Sequence, residues 1–406
     1  MAPETQPHLQ PPPSWSAIPM DLAALVLGLL PAYADRASFV AVCPQWRAAA
    51  RLQIQPLSLP LLALPDGTFY SLPYAKPFSF PGCGFAGYES TCDNGLVFPR
   101  DDGCFLVDPF SRATVTLPAL SCIRLRPPNA VAKWLKSHDG EVKWHTCTTW
   151  MHINEHKLHI GKLIMCSPNL VAALVGIGSI SQILMCQPGS SSWSVRAYDE
   201  CKGFEDMVFY QGKLYAIAKD ENLLVVNITE DHSTGDPQVH SIGEVIKGDP
   251  AHWYSCLFDD NVIANNKNYL VESRGALLMV RRTIWCRVTE PGGDIMAGRN
   301  KFEVFKADFE HSRWVNMTTF GDDQLLFLGR RCSRAVSVSQ YDLTGDKIMF
   351  LDDDEENRVE YAYEDENTSY SIYHMRSRSV RSGYPSVYWK RGDDMRLAAW
   401  LFPRDR

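Results

Sequence analysis

The stretch Met207-Val208-Phe209-Tyr210-Gln211-Gly212-Lys213-Leu214-Tyr215-Ala216-Ile217 decides the fold. Two runs rich in aromatic and aliphatic side chains flank a Gln-Gly pair, which is how two antiparallel strands and a tight turn look in sequence. Trp193 heads this frame, with a strand and a loop between it and the hairpin. A second frame keeps the same order: Trp314 leads into Met317, then Gln324-Leu325-Leu326-Phe327-Leu328, and later Asp346-Lys347-Ile348-Met349-Phe350. Each frame reads as a Trp-headed strand followed by strand–turn–strand. Further short β-like runs between Gly, Pro, Asn and Asp turns cover Cys104–Val107, Leu170–Val175, Ile183–Cys186, Leu223–Ile228 and Lys347–Leu351.

A repeating unit of about 50 residues is the form of a kelch-like propeller blade. Large flat side chains fill the wedge between facing sheets of adjacent blades, which gives the recurring Trp a physical role. Residues 56–406 are therefore expected to form an all-β, kelch-like β-propeller of six or seven blades, since about seven such units fit that length. Two packed sheets could use the same strands, but the Trp recurrence suits a repeat architecture.

Upstream the pattern is different. Residues 1–13 hold Pro3, Pro7 and Pro11 to Pro13 among polar residues, the composition of a disordered lead. Over 14–55 the period becomes helical. Leu22, Leu25, Val26, Leu29 and Leu30 fall on one apolar helical face, with Asp21 placed to cap the helix and Pro31 to close it. Asp35 is placed to cap a second helix running through Phe39 to Val42 and Cys43. Pro44 is tolerated at the first position of a third helix, carrying Trp46 and Ala48 to Ala50. Three short helices bury too little surface to stand alone, so the module needs a neighbour or a partner.

Composition narrows the function classes. The 406 residues carry 40 Lys+Arg against 47 Asp+Glu, a net charge of −7, which argues against a protein held on nucleic-acid phosphates. The 12 cysteines are scattered with no C-x-x-C pair, which disfavours structural zinc and redox motifs and suits buried thiols in a reducing compartment. No Lys or Arg precedes Arg36, so the apolar run Leu22 to Leu30 lacks the basic lead of a signal peptide, and it is too short to span a bilayer. Gly176, Gly178, Ser179, Ser181 and Gln182 interrupt the longer run from Leu170 to Cys186. A cytoplasmic or nuclear protein is expected, in which the sequons at Asn227, Asn316 and Asn367 carry no glycan.

Three motifs could carry chemistry. His152-Ile153-Asn154-Glu155-His156 matches the inverted zinc-peptidase pattern H-x-x-E-H, which works only on a helix that brings both imidazoles to one side. Its surroundings are strand-rich, so surface histidines near a β-turn are the simpler account. Gly82-Cys83-Gly84-Phe85-Ala86-Gly87 fits G-x-G-x-x-G, but no helical period follows, so a glycine turn is expected in place of a dinucleotide site. Asp352 to Glu366 holds nine acidic residues without the glycine of a calcium loop, and reads as a solvated acidic loop. No G-x-S-x-G is present, and nothing makes a positive case for catalysis.

The run Trp15-Ser16-Ala17-Ile18-Pro19-Met20-Asp21-Leu22, with Leu25-Val26-Leu27, Leu30-Pro31, Ala34-Asp35-Arg36 and Phe39 through Val42-Cys43 to Trp46-Arg47, resembles an F-box. The remainder resembles the KIB-type β-propeller that follows the F-box in a large flowering-plant family. Leu64-Pro65-Asp66-Gly67, Val107-Asp108-Pro109-Phe110-Ser111-Arg112, Ser167-Pro168-Asn169-Leu170-Val171-Ala172-Ala173, Phe327-Leu328-Gly329-Arg330 and Phe350-Leu351-Asp352-Asp353 carry it. The resemblance implies a substrate receptor of an SCF-type ubiquitin ligase, non-catalytic and without a cofactor. Its F-box would dock on the Skp adaptor, and through it on cullin and RING subunits, while the propeller binds the protein to be ubiquitinated; neither nucleic acid nor membrane is implied. Ile18, Pro19, Leu22, Leu25, Val26, Leu30, Val42, Cys43 and Trp46 match the family's apolar F-box positions, and Leu25, Val42 and Trp46 could equally be internal core. Met20 departs from a second Pro, and Pro44 from a usually basic residue. The competing readings are a Skp-independent propeller with a decayed F-box, and a zinc hydrolase built on His152, Glu155 and His156.

Overall fold

Gln211 and Gly212 take φ of 47° and 76°, the left-handed pair that folds two strands back with the natural twist. The hairpin they close pairs Met207 with Ala216 and Tyr210 with Lys213. Arg274 and Gly275 repeat the device at 52° and 68°. Hairpins of this kind build six antiparallel sheets around a ring, preceded by three helices. The computed structural model describes residues 15, 18–52, 57–82, 84–126, 133–136, 142–145, 159–177, 180–196, 203–231, 235–248, 257–259, 262–288, 295–341, 343–351, 361–362, 367–368, 370–383, 389–390 and 398–403.

Blade two is built from Ser90–Cys92, Gly95–Arg100, Gly103–Val107 and Thr114–Thr116 in chain order. Blade three takes His159–Ser167, Leu170–Ile177, Ile180–Cys186 and Trp193–Arg196, with Ile123–Arg126 added in parallel outside the last. Blade four is Phe204–Tyr210, Lys213–Ala218, Leu223–Glu230 and Pro237–Ile246. Blade five centres on the long strands Val262–Ser273, Ala276–Val288 and Ile295–Asp308, flanked by Leu257–Asp259 and Arg313–Met317. Blade six orders Arg334–Ser337, Gln324–Leu328, Lys347–Phe350, Ser371–His374 and Ser379–Ser382. Blade one closes the ring: Leu61–Ala63, Phe69–Ser71 and Lys76–Phe78 are joined by Ala399–Leu401, with Leu62 opposite Trp400.

The strands alternate their side chains between two buried faces. Leu61 packs toward blade two and Leu62 toward blade six; Val171 turns to blade two and Ala172 to blade four; Leu325 and Leu326 divide between blades one and five. Six apolar clusters result, one at each seam of the ring. This two-sided burial is why the second strands of the blades, such as Leu61–Ala63, Leu170–Ile177 and Gln324–Leu328, read as nearly continuous apolar runs and not as an apolar–polar alternation.

Three tryptophans join the seams. Trp193 Nε1 donates to the Pro118 carbonyl at 2.9 Å, Trp314 Nε1 to Glu221 at 3.0 Å and Trp400 Nε1 to Leu328 at 2.9 Å. In each case the indole reaches from its own blade to the preceding one, so wedge filling and the polar handle of a buried indole are satisfied together.

The expected strands fall on observed strands, with two adjustments. Trp193 belongs to blade three and its hairpin to blade four, so the repeating frame straddles two blades. In the second frame Gln324–Leu328 and Lys347–Phe350 pair in parallel, with Arg334–Ser337 on the other side of the first, so strand–turn–strand does not describe them. The ring has six blades of unequal length: blade three runs from Ile123 to Arg196, and blade five uses strands of 12, 13 and 14 residues. In the N-terminal module, α1 spans Met20–Gly28, α2 Tyr33–Val42 and α3 Pro44–Leu52. Pro44 opens α3 as expected, after an extended Cys43. Asp21 and Asp35 do not cap: Pro19 and Ala32 hold the cap positions, and the two carboxylates sit in the first helical turns, where the helix dipole favours them. The lead 1–13, the H-x-x-E-H motif and most of the acidic stretch lie outside the described residues; within the latter, Tyr361–Ala362 pairs with Ile295–Met296.

Charges are also held in the seams. Arg281, 4% exposed, makes a two-pronged pair with Glu221, Nε and Nη2 each 2.6 Å from a carboxylate oxygen. Lys162 of blade three pairs with Asp206 of blade four, which also accepts from the Leu270 amide of blade five at 2.8 Å. Beside it Glu205 accepts from the Asn268 amide at 3.0 Å, and burial pushes its carboxyl up from 4.5 to about 7. Folded Glu205 therefore keeps its proton where the unfolded chain releases it, so its contribution to stability is full below about 4.5 and is lost as pH rises to about 7. Glu205→Gln should remove this part of the pH dependence and raise the urea midpoint above pH 7; an unchanged pH profile would count against the assignment.

Candidate functional site

Helix α1 is apolar on two sides. Ala23, Ala24 and Leu27 are buried, and Ala23 and Leu27 share a small core with Phe39 and Ala49. Small side chains let the helices approach closely there. On the other side Leu22 (54%), Leu25 (61%), Val26 (44%) and Leu29 (60%) are exposed at i, i+3, i+4 and i+7, a single stripe. Met20 at the start of α1 and Val42 at the end of α2 are also exposed, at 41% and 54%. A contiguous apolar stripe of this kind is a candidate interaction surface, because keeping apolar side chains in water is unfavourable.

The nine positions expected to bind an adaptor divide into two groups. Pro19, Leu22, Leu25, Val26 and Val42 are exposed. Ile18, Leu30 and Trp46 are half-buried and pack onto the module's own core, and Cys43 is half-buried with its Sγ accepting from the Trp46 amide at 3.4 Å. Trp46 lies over Phe39, ring centroids 4.4 Å apart, and its Nε1 donates to the Trp15 carbonyl at 3.2 Å. Of the three positions that could have been internal core, only Trp46 is. Leu30 lies beyond the end of α1 and turns inward, so the helical face read from sequence loses its last member. Leu29 belongs with the exposed stripe, and its signal was the i+7 spacing from Leu22. The apolar period fixes which residues lie on one side of α1 but not which side a neighbour covers.

Two further sequence features, the glycine motif and the cysteines, are placed by the structure. Gly82 and Gly87 take φ of 73° and 89° in a turn that leads into the strand Ser90–Cys92, so the glycine motif is a turn. The thiols of Cys104, Cys166, Cys186 and Cys332 are pushed up to about 12 by burial, and that of Cys92 is also raised, which leaves them protonated and poor nucleophiles. Among the described residues no group of three or more His, Cys, Asp or Glu is placed to hold a metal ion. No described helix is long and apolar enough to cross a membrane.

The two groups of residues should respond differently to substitution. Leu25→Asp or Leu29→Asp should change stability by no more than about 0.5 kcal/mol, as for exposed positions. Trp46→Ala should cost roughly 2–3 kcal/mol, because it opens the small core. Urea unfolding followed by far-UV dichroism checks both; a destabilised Leu25 variant would mean that the stripe is internally packed.

In comparison with known proteins, the family model described as the KIB1-4 beta-propeller matches residues 61–374, from the first strand of blade one to the fourth strand of blade six. No curated protein matches the sequence. Among solved structures, the AfRom2 CNH domain is similar over 78% of this chain and 91% of its own, with 11% identity and a TM-score of 0.25, too low to carry an inference.

Proposed function

The chain belongs to the KIB1-4 β-propeller family, and on that premise we propose that it is the substrate-recognition subunit of an SCF-type ubiquitin ligase, with its helical module an F-box. A KIB1-4 propeller fits a protein-binding module. The observation that carries the finer reading is the bare stripe of α1. A nine-residue helix that leaves Leu22, Leu25, Val26 and Leu29 in water while burying small residues behind them is suited to a helical partner of complementary apolar surface. In this reading the Skp adaptor covers the stripe and links the chain to cullin and RING subunits. The propeller presents a protein target, and the chain itself performs no chemistry. Its place of work would be the cytoplasm, the nucleus or both.

In this reading the two partners use separate faces of the ring. In antiparallel blades the first and third turns share one face, and the connections between blades leave from the other. The turn at 108–113 belongs to the first face, and its Phe110 packs against Tyr33 of α2 at 5.1 Å. Among the described residues the helical module thus lies on the face of the hairpin turns, and in this reading the target is taken by the opposite face.

Co-purification with a Skp adaptor tests the proposal. Wild type should bind, and a Leu22→Asp, Val26→Asp double variant should lose at least roughly thirtyfold in affinity, as about 2 kcal/mol per central contact position predicts. Failure of well-folded wild-type protein to bind any Skp adaptor would remove the ligase reading and leave a protein-binding propeller.

A further inference from the structure

Two folded units in one chain move relative to each other by default unless their boundary is well packed. Here the boundary is crossed by contacts of four kinds. The first is a helix cap supplied from outside. Ala32, at the cap position of α2, has no side-chain acceptor, and the Ala34 amide instead donates to Oγ of Ser71, a fully buried residue of blade one, at 3.0 Å. The second is a chain of hydrogen bonds: Arg36 donates to the Leu30 carbonyl at 2.7 Å and to the Tyr341 hydroxyl at 2.6 Å, and that hydroxyl donates to the Leu57 carbonyl at 2.9 Å. The third is aromatic packing of Tyr33 edge-on against Phe78 and Phe110, at 5.3 and 5.1 Å. The fourth is the exposed pair Lys76–Asp35 at 3.1 Å, the weakest of the set.

The segment that leads into the propeller is tied down as well. The Leu59 amide donates to the Pro31 carbonyl at 2.9 Å, and the Leu59 side chain is buried in the seam between blades six and one, where Tyr341 also packs. Tyr341 therefore touches the helix, the connecting segment and the ring-closing seam at once.

We infer that the helical module is clamped to the propeller, not tethered to it, with Ser71 and Tyr341 as the positioning residues that hold it. The clamp fixes the α1 stripe at one distance and angle from the opposite propeller face. Its purpose, holding a target at a set reach from the ligase core, rests on the adaptor reading above; the clamp itself does not.

The test uses the free full-length chain. Spin labels on non-canonical residues at Ala41 and Lys213, both exposed, report the separation between α2 and the blade-four turn. Wild type should give one narrow distance distribution. A Ser71→Ala, Tyr341→Phe double variant changes no helix residue and no member of the stripe, so it should keep its adaptor affinity within about twofold while the distribution broadens at least about twofold. If the double variant fails to fold, Tyr341→Phe alone is used, and faster amide exchange at Leu59 is the expected sign of release. A broad distribution in wild type would overturn the clamp, and a variant as narrow as wild type would overturn the role given to the two residues. A narrow wild-type distance in a chain that binds no Skp adaptor would remove the ligase reading and leave the clamp standing.

Discussion

The second strand of each blade, counted from the centre of the ring, is buried on both faces along most of its described length, and much of the structure follows from that constraint. A blade is a wedge between two neighbours, so successive side chains must suit two different seams. Leu61 and Leu62 serve opposite neighbours, as do Val171 and Ala172. A polar side chain at such a position has no route to water and must bring its partner with it. Arg281 with Glu221 and Lys162 with Asp206 obey that rule across seams, which turns costly buried charges into specific inter-blade links. The tryptophans obey it too, each giving its one N–H to a carbonyl of the preceding blade.

The helical module follows the opposite logic. Its core is small, with Ala23, Leu27, Phe39 and Ala49 at its centre, and it leans on the propeller for what it lacks. The propeller supplies α2 with a cap, through Ser71, and gives the Arg36 side chain an acceptor, through Tyr341. What remains uncovered is the outward side of α1. The module is thus stabilised from one side and left apolar on the other.

The fold was largely legible in the sequence because local rules and global packing agree. The hairpin at Gln211-Gly212 announces itself by its turn residues, and apolar runs bounded by turns mark the strands. The start of the third helix followed from Pro44, whereas α1 stops at Gly28, short of Pro31. The failures have definite causes. Blade count could not be fixed from an average unit length, because the blades differ in length: the strands of blade four have 6 to 10 residues, whereas the three central strands of blade five have 12 to 14. Asp35 looked like a cap because the true acceptor, Ser71, lies 37 positions away from Ala34. Within the candidate site, spacing grouped Leu22, Leu25 and Val26 correctly but could not separate Leu29, which faces water, from Leu30, which does not. That distinction depends on where α1 ends: Leu30 lies past the C-cap Leu29, where the step of about 100° per residue no longer sets a side chain's direction.

The pairing of Ala399–Leu401 with Leu61–Ala63 has a consequence for the order of events during synthesis. Blade one begins with residues made early and is completed by residues made more than 300 positions later. Until they arrive, Leu61–Ala63 presents an unpaired edge and the seam around Trp400 is empty. Blades two to five can form as local hairpins while the chain grows, but closure is the most distant contact in the ring and the one with the highest entropic cost. Tyr341, packed in the same seam, receives the helical module only on a surface that this last step completes. The module made before the propeller is thus among the last to be seated, and its orientation reports that the circle has been closed.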